Sequence, residues 1–284
     1  MRAVAHRLVH GGSRFRDPIL VDDEVVAELE GLIELAPLHM RPAVDALRRA
    51  RAELPSVPHV AVFDTAFHAT ISEESATYAL PRRAREGWGI RRYGFHGLSV
   101  QWASEQVRVE RLVVCHLGGG CSVTAVRDGR SVDTTMGFTP LEGVPMATRT
   151  GSVDPGALVY LLRHYVDLDG LDRLLEHESG LLGISGVSGD VRELEASGDE
   201  AAGLALSVFA YRVAGAVAAM SVALGGLDAL VFTAGIGENS EAVREAICGR
   251  LAFLGVGSGA VEVVVVESRE DLVAARAARQ LLDQ

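Results

Sequence analysis

The segment Cys115–Gly151, CHLGGGCSVTAVRDGRSVDTTMGFTPLEGVPMATRTG, sets a histidine, a glycine run, a hairpin signature and an arginine within one stretch. Gly118, Gly119 and Gly120 follow the apolar run Leu112-Val113-Val114, and Asp128-Gly129 is the two-residue signature of a hairpin turn. A glycine loop between strands can aim backbone N–H groups at an anion, although the same glycines also serve a tight turn that binds nothing. A second such loop, VFTAGIGENS from Val231 to Ser240, runs from an apolar strand through glycines into the helical pattern Glu241–Leu251. Ser240 is a good N-cap, so the N–H groups and positive dipole end of that helix would face the loop's contents. Two strand–glycine loops on one chain point to a nucleotide held by backbone from both sides.

All 27 basic residues of the 284-residue chain are arginine. That excludes mechanisms needing a phosphate-loop lysine, a kinase strand lysine or a Schiff base. An anion clamp here must be built from arginine and histidine, and arginine's planar fork grips carboxylate and phosphate oxygens bidentately. The net charge is −11, with acidic residues dispersed, so nucleic acid is not an expected partner. Cys115, Cys121 and Cys248 lack metal or redox spacing, and no secretory h-region leads the chain, so the expected location is cytoplasmic. Ala201–Leu230 is apolar enough to resemble a membrane span, but Arg212 and the Gly225-Gly226-Leu227-Asp228 turn make it the central helix of an α/β domain or a dimer helix.

The elements that must position these groups alternate in type. Strands are expected at 60–64, 112–117, 122–127, 230–234 and 261–266. Helices are expected at 23–36, 42–53, 156–166, 201–224, 240–251 and 270–283, the last opened by a capping-box-like Ser268 and Asp271. The alternation predicts an α/β fold with mixed sheets. At 48% hydrophobic and 23% charged, the chain can bury a full core and is expected to divide in two.

The runs HRLVHGG (6–12), APLH (36–39), VFDTAFH (62–68), RRYGFHG (91–97), HLG (116–118), DTTMGFTPLEG (133–143), TRTG (148–151) and FTAGIGEN (232–239) resemble the acetate/propionate kinase family from the first residues to the last helix. The resemblance implies an actin/sugar-kinase/Hsp70-like (ribonuclease H-like) two-domain α/β fold with the active site in the cleft. It implies a remnant of the N-terminal domain at 1–62, a C-terminal nucleotide-binding and dimerisation domain at 63–267, and a helix 268–284 packing back on the first part. The implied reaction is direct in-line transfer of the ATP γ-phosphoryl group to acetate, giving acetyl phosphate and ADP, with Mg2+ or Mn2+ and a homodimer. A propionate- or butyrate-type kinase and a non-catalytic nucleotide-binding paralogue are the alternatives.

Carried over onto this chain, the resemblance makes Arg7 and Arg149 the arginines that hold carboxylate and phosphoryl oxygens, with Arg91 in a less direct role. His96 would hydrogen-bond the transferring group, while His39 and His116 would lie near substrate and phosphates. Asp64 would act through the metal or by orienting an arginine, and Glu270 would be the metal-associated carboxylate, with Asp271 as rival. Val9, Leu38, Phe95 and Pro140 would form the small acyl pocket, and Gly118, Gly119, Gly120, Gly235, Gly237 and Asn239 the nucleotide loops. His68 lies four residues from Asp64, but the preceding strand argues against a helical metal pair, and His6, His10, His59, His164 and His177 are read as structural or surface.

The chain departs from the family pattern where Gly119 stands for an asparagine, Ala234 for a glycine, Ser152 for an acidic residue and Ser268-Arg269-Glu270-Asp271 for Thr-Asn-Glu-Glu. The family's leading Asn-x-Gly-Ser-Ser-Ser-x-Lys loop has no counterpart here. The expectation is therefore a truncated first domain and weak or absent activity of the chain as given.

Overall fold

The computed structural model describes residues 2–283. The chain begins with β1 (Val4–Leu8) and β2 (Ile19–Leu20), then α1 (Asp23–Gly31), α2 (Pro37–Glu53) and β3 (His59–Phe63). Next come α3 (Glu73–Ala76), α4 (Arg82–Trp88) and α5 (Gly97–Gln106), followed by a meander of β4 (Arg111–Leu117), β5 (Cys121–Arg127) and β6 (Arg130–Thr134). A helical stretch follows: α6 (Pro155–His164), α7 (Leu168–His177), α8 (Gly180–Ser185), α9 (Val191–Ala196) and α10 (Glu200–Leu224). The chain closes with β7 (Ala229–Thr233), α11 (Ala234–Asn239), α12 (Glu241–Arg250), β8 (Glu262–Val265) and α13 (Glu270–Leu282).

Both sheets are mixed. In the first, ordered β1-β3-β2, β1 and β3 run parallel and β2 antiparallel; in the second, ordered β6-β5-β4-β7-β8, the antiparallel meander continues into parallel β4, β7 and β8. Apolar side chains from α1 and α2 (Val25, Leu29, Val44, Leu47) cover one face of the first sheet. Its other face meets α13 and the start of α5 through Val60, Val62, Leu98, Val273 and Ala274. Val100 and Ala103 carry α5 onto the second sheet at Leu112, Val114 and Val231, whose opposite face is covered by α10 through Phe209, Val213 and Val217. Thus α5 and α13 lie between the sheets, and their N-termini are delivered to the cleft where the parallel strands end. In open α/β sheets, ligands bind outside those carboxyl ends.

Several expected elements change shape. The helix expected over 23–36 ends at Gly31 and is followed by a 3-10 turn, Ile33–Leu35, while α2 starts at Pro37 instead of Pro42. Proline at the first helical position costs no hydrogen bond and is preset for helix, so Pro37 starts α2 and Pro42 is carried in its second turn. The second glycine loop is itself a short helix, α11, with Ala234 at φ 65°. The capping box at Ser268 does not form: Arg269 is the N-cap of α13 without a side-chain bond, and the Ser268 hydroxyl turns to Ser99, 3.3 Å away. By contrast Ser240 caps α12, accepting from Val243 N at 3.1 Å.

Candidate active site

The C-terminal end of β1 places Arg7 beside the buried Asp64, which follows β3. Arg7 Nε donates to Asp64 Oδ1 at 3.0 Å and Nη2 to Oδ2 at 2.8 Å, a bidentate pair, and Nη1 donates to Glu270 at the start of α13. Burial and then the Asp64 and Glu270 carboxylates act on Arg7, with the net result a pKa above its ordinary value. Burial raises the Asp64 carboxyl against the pull of Arg7, and burial raises Glu270 as well, with nearby Asp64 adding to the rise. Two carboxylates therefore share one guanidinium, leaving a local surplus of negative charge.

Across the cleft, Arg149 is gripped on every side. Nε pairs with Glu176 Oε2 at 3.0 Å, Nη1 donates to the Pro140 carbonyl at 3.4 Å and Nη2 to His39 Nε2 at 2.7 Å. Accepting from Arg149 requires His39 to be neutral with its proton on Nδ1; burial first, and then Arg149 and Arg7, push its pKa down. Glu176 has no signal in the sequence, since its position is reached only through the fold of α7.

His96 occupies the N-cap position of α5 at φ 60°, a left-handed conformation rare for a residue with a side chain and frequent at functional sites. It stacks on His116 from the end of β4, ring centroids 4.0 Å apart. His96 Nδ1 meets Ser122 Oγ at 3.0 Å and His116 Nδ1 meets Ser99 Oγ at 2.8 Å, so each ring's Nε2 is left for the cleft. Burial, His116 and the two arginines push His96 well below the ordinary imidazole value, and burial with Arg7 pushes His116 down to about 3. Both are neutral at pH 7 and can each present one N–H. Gly120 lies beneath this pair: a Cβ there would stand 3.3 Å from His96 Nε2 and 3.6 Å from Arg149 Nη1. Gly97 is equally constrained, since a Cβ would meet the Asp64 carbonyl at 2.1 Å.

A cavity of about 750 Å³ adjoins this cleft, lined by Gly118, Gly119, Gly235, Asn239, Asp190 and Arg192. Both glycine segments thus face one space, and Gly120 and Gly237 lie on the same turns. A Cβ at Gly119 would meet no atom within 4 Å, and one at Gly118 would stand 3.5 Å from the Ala234 methyl. Asp190 and Arg192 carry no signal in the sequence; Asp190 caps α9 by accepting from Arg192 N at 2.9 Å and also pairs with its guanidinium.

The other expected residues divide. Phe95 is buried and Pro140 lies beside Arg149, while Leu38 is 48% exposed and Val9 packs between the two largest cores. Arg91 is drawn away to Glu73 at 3.3 Å. His68 is structural, bonded to Ser131 Oγ at 2.9 Å and the Phe95 carbonyl at 2.8 Å, and His10 is buried against Tyr93 and Phe95. Among the described residues no group of three or more His, Cys, Asp or Glu side chains forms a metal cluster.

Residues 1–281 match the Acetokinase family. An acetate kinase from Synechococcus sp. is 45% identical over 98% of this chain and 76% of its own length, and one from Clavibacter michiganensis is 46% identical over 97% and 70%. A propionate kinase structure from Francisella tularensis superposes with a TM-score of 0.93 at 38% identity, covering 97% of this chain and 78% of the other. An acetate kinase structure from Porphyromonas gingivalis gives 0.92 at 37%, covering 99% and 78%. The chain therefore spans about three quarters of the length of these relatives. With the family match running over residues 1–281 and the α/β fold shared, the chain belongs to the acetokinase family.

Proposed function

We propose that the protein transfers the γ-phosphoryl group of ATP reversibly to acetate, giving acetyl phosphate and ADP. The observation that carries this reading is the meeting of Arg7, Arg149, His39, His96 and His116 around one cleft that opens into the glycine-lined cavity. Phosphoryl transfer to a carboxylate brings two anions together, so its catalysis is largely positioning and charge compensation. Arg149, held by Glu176, Pro140 and His39, would brace the equatorial phosphoryl oxygens in line with the acceptor. Arg7 would orient the acceptor carboxylate, and the neutral His96 would donate Nε2–H to the transferring group. The glycine turns would take the nucleotide phosphates through backbone N–H groups. Arg91, paired with Glu73, would act at most indirectly.

The surplus of carboxylate around Arg7 fits a divalent cation, since Mg2+ is commonly bound by one or two carboxylates with phosphate and water completing its shell. Glu270 would hold it while Asp64, both of whose oxygens are engaged by Arg7, would keep that arginine oriented beside it, and Mg2+ or Mn2+ there would supply charge compensation to the phosphates. A cytoplasmic homodimer completes the reading. Each residue of α6 is at least partly exposed, and Tyr160, Tyr165 and Leu168 are 54%, 69% and 72% exposed, an apolar face suited to a second copy of the chain. The 1–62 and 63–267 division remains part of this proposal.

Propionate is a second reading, because Leu38, which the resemblance would put in the acyl pocket, is 48% exposed, and one methylene changes discrimination by only about 1–3 kcal/mol. Purified protein with ATP, Mg2+ and acetate or propionate should give metal-dependent hydroxamate in the presence of hydroxylamine. No product above that of an Arg7→Ala, Arg149→Ala control with either acid would overturn the reading.

A further inference from the structure

The backbone of α11, which faces the nucleotide cavity, is tied to the far side of the cleft by one carboxylate. Glu238 Oε1 accepts from Ala234 N at 2.8 Å and from Ser268 N at 2.9 Å. The first bond holds the left-handed residue that opens α11; the second holds the turn entering α13. From that turn two arms reach the cleft. Ser268 Oγ lies 3.3 Å from Ser99 Oγ, which in turn lies 2.8 Å from His116 Nδ1, with Ser99 fully buried. Two residues on, Glu270 pairs with Arg7.

We infer that Glu238, Ser268 and Ser99 are positioning residues that couple the nucleotide-facing helix to His116 and Arg7. Each serine hydroxyl has one proton, so the serine chain has a direction. If Ser268 donates to Ser99 and Ser99 donates to His116 Nδ1, the neutral imidazole carries its proton on Nε2 and offers a donor to the cleft. In the reverse direction Nδ1 holds the proton and Nε2 is an acceptor. A phosphate anion needs a donor, so nucleotide in the cavity selects the first direction. Any shift of α11 on nucleotide binding moves Glu238 and hence the Ser268 turn. This deepens the proposed phosphotransfer, but the link itself is a property of the folded chain with or without turnover.

The test is 15N NMR of histidine-labelled protein, titrated with ADP, alongside turnover of acetate. The parent should show neutral His116 moving to the Nε2–H tautomer as ADP binds. Glu238→Ala and Ser99→Ala should mix the tautomers and uncouple them from ADP, with kcat falling about tenfold, one hydrogen bond's worth of about 1.4 kcal/mol. Glu238→Gln keeps an acceptor oxygen and Ser99→Thr keeps the hydroxyl, so both should restore the ADP response. An unchanged His116 tautomer and ADP response in folded Glu238→Ala would overturn the coupling, as would failure of both conservative variants to restore what the alanine variants lose. Because the spectra are read without turnover, a parent inactive toward acetate but showing the ADP-linked tautomer would refute the proposed reaction while supporting the link.

Discussion

Arg149 illustrates how a single side chain integrates the site. Its guanidinium spans Glu176, the Pro140 carbonyl and His39, so its orientation is set by loop, helix and both halves of the cleft. A lysine keeps the charge but cannot reproduce that fork, so Arg149→Lys should lower kcat by more than tenfold while the calorimetric affinity for ADP changes less than threefold, on the order of the loss expected for a bidentate contact. Turnover within twofold of the parent would remove Arg149 from the mechanism. Ala234 makes a different argument. It stands at φ 65°, where an L-residue costs roughly 1–2 kcal/mol and glycine does not. Glycine restores some unfolded-chain entropy in return, so Ala234→Gly should stabilise the protein by a net of about 0.5–1 kcal/mol in urea unfolding; a lower midpoint would show that the methyl beside Gly118 contributes packing that outweighs the strain. Arg7, Asp64 and His96 stand out in the sequence as candidates only through the resemblance of the long motifs that hold them to the acetate/propionate kinase family. Ser99, Ser122, Glu176 and Glu238 carry no such mark, because a lone serine or glutamate has no spacing signature and its cleft partner lies well beyond one helix or hairpin along the chain.

The strands and helices carry a similar division. The expected strands at 60–64, 112–117, 122–127 and 230–234 agree with β3, β4, β5 and β7 to within a residue, since each is rich in apolar and β-branched residues and buried on both faces, with His116, Ser122 and Thr124 the polar exceptions inside β4 and β5. Two elements that matter most to the site lack such a signal. In β1 the sequence VAHRL places His6 and Arg7 mid-strand and buries only Leu8 fully, so it has neither an apolar run nor clean alternation, and its partner β3 is more than fifty residues on. Helix α5, packed between both sheets, buries residues around much of its circumference and so lacks a single apolar stripe. Helix α10 shows why composition alone misleads: apolar enough by length and hydropathy to cross a bilayer, it lays Phe209, Val213 and Val217 against the second sheet. Capping is the most local signal and is realised at Ser240, whose Oγ both accepts from Val243 N and donates to Glu195. Ser240→Ala should therefore cost about 1 kcal/mol of unfolding free energy, and Ser240→Thr, which keeps both the acceptor for Val243 N and the donor to Glu195, substantially less. Equal stability of Ser240→Ala and the parent would mean that α12 is held by its packing on Ile247 alone.

For the molecule as a whole, histidine burial sets a pH limit. Burial lowers His10 and His68 to about 4, and burial with Arg7 lowers His116 to about 3, against an ordinary value of 6.5. In the unfolded chain these imidazoles take up protons as the pH falls below about 6.5, whereas in the folded protein they do not until it nears 4. The unfolded state thus binds more protons in that interval, so stability is complete above about 6.5 and is lost on the way down to 4. Each such histidine contributes a slope of up to about 1.4 kcal/mol per pH unit. The raised carboxyls of Asp64, Glu176 and Glu270 work in the opposite sense, since the folded protein protonates them first, and their effect is felt at the lower end of the range. Urea midpoints should accordingly be level from pH 8 to 7 and fall steadily from 6.5 to 5. His68, fully buried and held between Ser131 and the Phe95 carbonyl, is the histidine through which this cause can be tested. His68→Gln retains hydrogen-bonding capacity without a titrating ring, so it should lower stability at pH 7.5 yet lose less between 6.5 and 5 than the parent. Identical pH slopes for the two proteins would place the acid sensitivity elsewhere.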